Sequence, residues 1–507
     1  MGIPSFYRQL CRKFPQIITK GVGPSAEWLC LDFNCAMYWV LRQMRPLSDN
    51  QHLWEGELCD NIAAYMTELI SLAAPTKGVF VSCDGVVCAA KRRQQRLRRF
   101  KGPWIAAQES AILGKSTNSG WDQNALTPGS AFMERLGRVL TAAGAAYACS
   151  TGLEVIVSTT AEAGEGEHKL LAHMRMVKPR TCMIYGLDAD LILLSMLLRA
   201  DTGADVSLLR EAQEFERGGS GWRTLSITAM YAAMFRAGST GRHVRDFVAA
   251  MSLLGNDFLP HSLTRTVRDD GIPQLMSTLE SRVWGQGQYL VDESGNLRHE
   301  ALIAIIGAWA LTEEGDMLAA AIDAAKVRNR PVGEGDTPAE TELREWNAQP
   351  ARWASLTQLL LPGRNNGLRS NWRDIYRKDW HAGSATAAEY IAGVAWVWDY
   401  YSGRQVDQAW MFEAHLPPLW SDMLSVTTVT PPPVLYPTPL TDWVHLLAVL
   451  PAESVRRLLP RDKQTLLDRA PWYWPSQWSL FDVGRSQMWE CEPVIPMIAE
   501  EVLRSQS

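Results

Sequence analysis

The residues with the strongest chemical signature in this sequence are acids. Glu165 and Glu167 stand close together in Gly164-Glu165-Gly166-Glu167-His168-Lys169, where glycines let the backbone turn sharply and bring carboxylates together. Asp188 and Asp190 repeat the spacing in Gly186-Leu187-Asp188-Ala189-Asp190, and Asp257 lies in Gly255-Asn256-Asp257-Phe258-Leu259-Pro260. Asp32 and Asp84 sit at the ends of the apolar runs Trp28–Phe33 and Gly78–Cys83. An acid set in apolar sequence is costly to bury unless it binds a metal or pairs with a base. Acids that converge offer oxygen ligands, which favour hard cations, Mg²⁺ or Mn²⁺, over zinc. Such a cluster suits phosphodiester hydrolysis: one ion lowers the pKa of a bound water, and a second, roughly 3.5–4 Å away, stabilises the leaving oxygen. Any single acid here reads equally well as a helix cap or a surface salt bridge. The set does not.

A second group of residues is basic. Lys91-Arg92-Arg93-Gln94-Gln95-Arg96-Leu97-Arg98-Arg99-Phe100-Lys101 carries seven positive charges in eleven residues. On a helix, Lys91, Gln95, Arg98 and Arg99 fall at i, i+4, i+7 and i+8 and share a face. Guanidinium forks bind phosphate oxygens bidentately, so that face suits a terminal phosphate. A solvated charge run or a localisation signal is the ordinary reading of such a stretch. Its place just after the Asp84 strand favours the pocket.

Both groups need a frame. The runs Trp28–Phe33, Gly78–Cys83 and Cys182–Leu187 read as buried parallel strands, with helical stretches such as Leu58–Ala73 and Ser130–Ala142 between them. Another helical run, Leu170–Met176, follows the glutamates. This alternation predicts an α/β fold with a mostly parallel central sheet flanked by helices on both faces. In open sheets of that kind the site lies beyond the carboxyl ends of the strands, where Asp32, Asp84 and Asp188 fall. We divide the chain into an α/β region, 1–310, a polar excursion or linker, 311–345, and a Trp-rich, largely helical region, 346–507, packed against the first. Eleven of the 21 tryptophans lie between Trp372 and Trp489.

At 507 residues, 47% hydrophobic and 21% charged, the chain is long enough for a sizeable core. A net charge of −5 does not exclude a nucleic-acid partner, because site acids cancel a basic patch in the sum. The nine cysteines show no paired CxxC spacing and read as reduced thiols of an intracellular protein. No run reaches the roughly 18 apolar residues of a membrane span. We expect no membrane partner.

Taken together, these segments resemble the Xrn family of 5′→3′ exoribonucleases across nearly the whole chain. The match includes the opening Met1-Gly2-Ile3-Pro4-Ser5-Phe6-Tyr7-Arg8, Leu31-Asp32-Phe33-Asn34, Cys83-Asp84-Gly85-Val86 and Thr127-Pro128-Gly129. It continues through the glutamate, paired-aspartate and Asp257 motifs to Trp372-Arg373-Asp374-Ile375-Tyr376, Trp398-Asp399-Tyr400-Tyr401 and Leu446-Leu447-Ala448-Val449-Leu450-Pro451. The resemblance implies a PIN/FEN-like nuclease core. It implies that Asp32, Asp84, Glu165, Glu167, Asp188, Asp190 and Asp257 bind Mg²⁺ or Mn²⁺, two ions in all, and carry catalysis. It implies that Lys91, Gln95, Arg98 and Arg99 hold the 5′-monophosphate of single-stranded RNA. In the family, that pocket excludes capped and triphosphorylated ends by size, and mononucleotides leave one at a time. Aromatic side chains stack on the bases, a role carried here to Tyr38 and Trp410. A monomer in the cytoplasm, or else the nucleus, is the expectation, with protein partners not specified.

This sequence also departs from the family. Tyr38 stands where the family usually has a histidine, Cys35 where it has a glycine, and Gln408 where a second tryptophan pairs with the one at 410. Two other readings compete. A silent RNA-binding scaffold on the same fold would show a lost acid, and none is lost. A flap-type DNA nuclease shares the early fold and metal site, but the second half follows the Xrn pattern.

Overall fold

The computed structural model describes residues 3, 5–47, 50–114, 120–212, 221–353, 355–363, 367–380 and 387–506. Met1, Gly2 and Pro4 of the opening motif lie outside the described residues.

Short runs, five residues long in most strands and rich in β-branched or aromatic side chains at the sheet's centre, build the sheet. Its strands are β1 (Ile18–Lys20), β2 (Trp28–Asp32), β3 (Gly78–Ser82), β4 (Glu154–Ser158), β5 (Thr181–Tyr185), β6 (Asp205–Glu211) and β7 (Trp222–Ser226). They lie in the order β1-β7-β6-β5-β2-β3-β4. The neighbours from β6 to β4 pair in parallel, and β7 and β1 add an antiparallel edge. The expected strands correspond to β2, β3 and β5, at the centre. The register sets Asp32 opposite Ser82 and Leu31 opposite Tyr185, so the three strands end together. That alignment delivers Asp32, Asp84 and Asp188 to one rim.

Every residue of β2 and β3 is buried, because both faces of the sheet are covered. Leu29, Leu31, Val79, Val81 and Met183 pack with the helices Asn34–Gln43, Gln51–Ala73 and Ala131–Thr151. On the other face Cys30, Phe80 and Ile184 pack with the helices Gly166–Val177, Asp190–Thr202 and Gly241–Met251. The expected helices at 58–73, 130–142 and 170–176 are parts of longer ones. Asn50 caps the turns added at the start of the first, accepting from Leu53 N. Ser130 caps the second, accepting from Met133 N, and that helix gains its turns at the other end, running on to Thr151 before Gly152 closes it.

The second half shares the core of the first. Ile391, Val394, Trp396 and Trp398, from the helix Ala387–Ser402, belong to the same apolar cluster as Ile184 and Leu191. Further along, Val444, Leu447 and Leu467 enclose Leu97 and Phe100 of the long helix Ala89–Leu113. Residues 311–345 carry the helix Glu313–Arg328 and most of Pro338–Asn347; the latter begins with a capping box between Thr337 and Glu340. All nine cysteines are free, and no described helix is long and apolar enough to cross a membrane.

Candidate active site

Each of the seven acids occupies an element terminus. Asp32 ends β2, Asp84 and Asp188 follow β3 and β5, and Asp257 follows the short turn Ser252–Leu254. Glu165 is the N-cap of the helix Gly166–Val177 and Glu167 lies in its first turn, while Asp190 begins the helix Asp190–Thr202. Helix N-termini favour negative charge, so three of the acids sit where the backbone itself assists them.

Glycines bring the loops into register. Gly85 N donates to Gly164 O at 2.8 Å, Gly164 N donates to Val86 O at 2.8 Å, and a side chain at Gly85 would run into the Glu162 carbonyl. Gly166 lets its helix approach β3 and β2: an added methyl there would lie 3.2 Å from Ser82 O and 3.3 Å from Asp32 Oδ1. Its N–H donates to Asp84 Oδ1 at 2.7 Å, and Asp84 N donates to Asn34 Oδ1 at 3.3 Å. Glu165, Glu167 and His168 bring their ligand atoms within 4.8 Å of one another. His168 was not among the expected site residues, although its motif was.

The electrostatics tie the set together. Burial, then the charges of Asp84, Asp188 and Asp190, pushes Asp32 well above the ordinary carboxylate range. Glu167 is raised by burial, then by Asp190 and Glu165. Asp190 is pushed up to about 7 by burial, then by Asp257 and Asp188. Against this crowd stands Lys91, whose Nζ donates to Asp257 Oδ2 at 2.9 Å and also pairs with Glu165. Burial alone would lower Lys91, but Asp257 and Glu165 outweigh it and hold the ammonium charged. Among the described side chains, one buried ammonium stands against seven carboxylates. The cluster therefore has the donor set and the charge excess of a site for hard cations.

The basic helix Ala89–Leu113 divides its cations. Lys91, Gln95 and Arg99 are buried along one face, with Arg98 exposed beside them. Arg99 donates to Gln95 Oε1 at 3.1 Å and to Thr127 Oγ1 at 2.9 Å, and burial lowers it to about 10. Thus Lys91 lies inside the acid cluster, one turn from Gln95 and two from Arg99. Tyr38, half-buried on the helix Asn34–Gln43, lies within electrostatic range of Arg99, and Arg98 within that of Asp188. Trp410 is half-buried against Trp396, ring centroids 4.8 Å apart; Trp396 stacks on Tyr400 at 5.1 Å and 13°.

That stack ends on the site. The Tyr400 hydroxyl donates to Glu165 Oε1 at 2.7 Å, and neighbouring Tyr401 is buried near Asp190, Asp257 and Glu167. The sequence reading gave neither tyrosine a role. Their adjacency to a motif tryptophan was the available signal, but nothing local says that they face carboxylates 140 to 240 residues away.

Residues 1–212 match the family model described as XRN 5′-3′ exonuclease N-terminus. The chain is 26% identical over 592 aligned residues to 5′-3′ exoribonuclease 1 of Homo sapiens, an alignment covering 99% of this chain and 34% of that protein. It is 31% identical over 355 residues to 5′-3′ exoribonuclease 2 of Candida albicans, covering 54% of this chain and 36% of that one. The chain thus spans about a third of the length of these relatives. Among solved structures, the T5 D15 protein co-crystallized with metal ions aligns over 74% of this chain at 12% identity and a TM-score of 0.27, a likeness that decides nothing here. Residues 1–212 thus match the XRN N-terminal model and exoribonuclease relatives align along nearly all of the sequence, which makes the chain similar to the Xrn family.

Proposed function

We propose that this chain is a divalent-metal-dependent, processive 5′→3′ exoribonuclease that takes single-stranded RNA with a 5′-monophosphate and releases 5′-mononucleotides. The observation that carries this reading is the meeting of the two groups of residues: the acid cluster at the strand ends and the Lys91-Gln95-Arg99 face entering it. The acids fit Mg²⁺ or Mn²⁺, since they are hard oxygen donors with one buried ammonium among them. The buried His168 Nε2 and Tyr401 hydroxyl, both without a hydrogen-bond partner among the described residues, are consistent with a polar occupant.

In this reading Asp32, Asp84, Glu165, Glu167, Asp188, Asp190 and Asp257 hold two ions. Ions held there would lower the pKa of an attacking water and offset charge on the leaving 3′-oxygen. Gln95, Arg98 and Arg99 hold the terminal phosphate, with Arg99 set in place by Gln95 and Thr127. Lys91 lies between phosphate and metal and steadies Glu165 and Asp257. Tyr38 and Trp410 stack on bases and align the scissile bond. Water adds to the phosphorus between the first two nucleotides and the P–O3′ bond breaks. The first nucleotide departs with a free 3′-hydroxyl, and the remaining strand keeps a 5′-phosphate for the next cycle. Residues 1–310 supply the site and 346–507 complete the RNA channel, with 311–345 linking the two. The protein works as a monomer, with the cytoplasm as the favoured compartment.

The test is incubation with Mg²⁺ and single-stranded RNA carrying a 5′-monophosphate, a 5′-triphosphate or a 5′-hydroxyl. Mononucleotides should come from the monophosphate RNA alone. Asp188→Ala or Asp190→Ala should lower the rate at least about 10³-fold while RNA binding persists. Equal cleavage of all three RNAs, or none of any, would overturn the reading.

A further inference from the structure

Two tyrosines adjacent in sequence are treated very differently by the site. Tyr400 spends its hydroxyl on Glu165 Oε1 at 2.7 Å. Tyr401, 2% exposed, has a buried hydroxyl with no hydrogen-bond partner among the described residues. Its ring is wedged between Phe258 and His168, each with its centroid 6.2 Å away, and its backbone oxygen accepts from Arg175. The ring is therefore fixed, and the hydroxyl cannot swing to solvent. The charges bearing on that hydroxyl are the carboxylates of Asp190, Asp257 and Glu167 and the ammonium of Lys91. Three of these groups are acids of the cluster.

A buried hydroxyl left without a partner costs about 1–3 kcal/mol. A phenylalanine would fill the same space without that cost. Retaining a hydroxyl within electrostatic range of three carboxylates makes sense when the loaded site uses a polar group there. Hydrated divalent cations supply the partner, since a water bound to Mg²⁺ is a strong hydrogen-bond donor and the phenol oxygen can accept from it.

Resting on the proposed metal site, we infer that Tyr401 is a positioning residue: its hydroxyl hydrogen-bonds the hydrated divalent cation held by Glu167, Asp190 and Asp257. Tyr400 orients Glu165 whether or not a cation is present, whereas Tyr401 contributes only when one is bound. The two hydroxyls thus belong to different states of one site.

The experiment compares Tyr401→Phe, Tyr400→Phe and Asp190→Ala with the parent chain. Melting temperature is measured without metal, and Mn²⁺ binding by calorimetry, both in the absence of RNA. Tyr401→Phe should melt at or about 1–2 °C above the parent without metal, because an unpaired group has been removed. It should nevertheless bind Mn²⁺ about tenfold more weakly. Tyr400→Phe should melt lower than the parent without metal, since it loses a bond already made. Unchanged Mn²⁺ affinity in Tyr401→Phe, or a lower metal-free melting temperature, would overturn the inference. Asp190→Ala separates the two failures. If it abolishes Mn²⁺ binding while Tyr401→Phe leaves it unmoved, only the role of Tyr401 falls; if neither changes it, the metal site itself is misplaced.

Discussion

The helix Ala89–Leu113 has two basic faces with opposite fates. On one, Lys91, Gln95 and Arg99 look into the acid cluster and toward Thr127. On the other, four cations are consumed by the second half of the chain. Arg92 pairs with Glu500, and Arg93 donates to Glu413 O at 3.0 Å. Arg96 donates to Ala448 O at 2.8 Å, to Pro496 O at 3.3 Å and to Tyr473 O. Lys101 donates to Trp489 O at 2.8 Å and Cys491 O at 2.7 Å. A charge that ends on a backbone carbonyl is a clamp. Arg99, whose partners Gln95 and Thr127 are neutral, keeps its charge for a ligand. The same eleven residues therefore build the proposed phosphate pocket and bolt it to the C-terminal half.

The largest effect that would break this contrast is expected at Arg96. Its guanidinium lies 4.7 Å from the Phe100 ring centroid and 5.7 Å from that of Trp474, and burial lowers it to about 9. Arg96→Ala should cost about 3–5 kcal/mol, read by chemical denaturation, because buried carbonyls lose a charged donor and the rings lose a packing partner. Retained stability would mean that this face does not hold the halves together.

A smaller effect is expected at Lys91, where the two fates meet. Lys91→Gln removes the ammonium from Glu165 and Asp257 and should destabilise the metal-free protein by about 2–3 kcal/mol. Added Mg²⁺ should stabilise this variant more than the parent, because the cation also relieves the carboxylates. An equal increment in both would show that Lys91 and the metal do not share those acids.

The smallest effect sharpens the boundary between the faces. His445 is fully buried beside the helix with both ring nitrogens unpartnered among the described residues, and burial, then the charges of Arg99 and Arg92, hold it well below the ordinary histidine range. The folded chain keeps this histidine neutral, while the unfolded chain takes up a proton below about pH 6.5. Stability is therefore present above that pH and lost as pH falls through it, at up to about 1.4 kcal/mol per unit. His261 and His168, lowered to about 4 and about 3, act with the same sign. His445→Leu should be more stable than the parent, and the gap should widen from pH 7 to pH 5. A constant gap would mean that His445 does not carry the acid sensitivity.

This contrast also marks how far the sequence could be read. The acids were legible because each lies at an apolar run's end or in a glycine-bracketed motif, and local sequence decides both. The central strands β2, β3 and β5 were legible for the same reason, being apolar on both faces. The strands β6 and β7 were not, because Arg210, Glu211 and Arg223 interrupt them; Arg210 donates to Leu187 O at 3.0 Å, and Glu211 accepts from Tyr185 at 2.8 Å. Helical spacing put Lys91, Gln95 and Arg99 on one face. It could not tell that the remaining cations were spoken for, since their partners lie some 320 to 410 residues downstream. Tyr400 and Tyr401 were hidden likewise: their function depends on what the helix Ala387–Ser402 packs against.

The most direct test of the two-faced helix is the ratio of initial rates on 5′-monophosphate and 5′-hydroxyl RNA. It should be taken for Arg99→Ala and for Arg96→Ala, each assayed below its own melting temperature. The account predicts a ratio near one for Arg99→Ala, through loss of a charged phosphate contact, and the parent's ratio for Arg96→Ala. A parent-like ratio in Arg99→Ala, or a lost preference in folded Arg96→Ala, would contradict it.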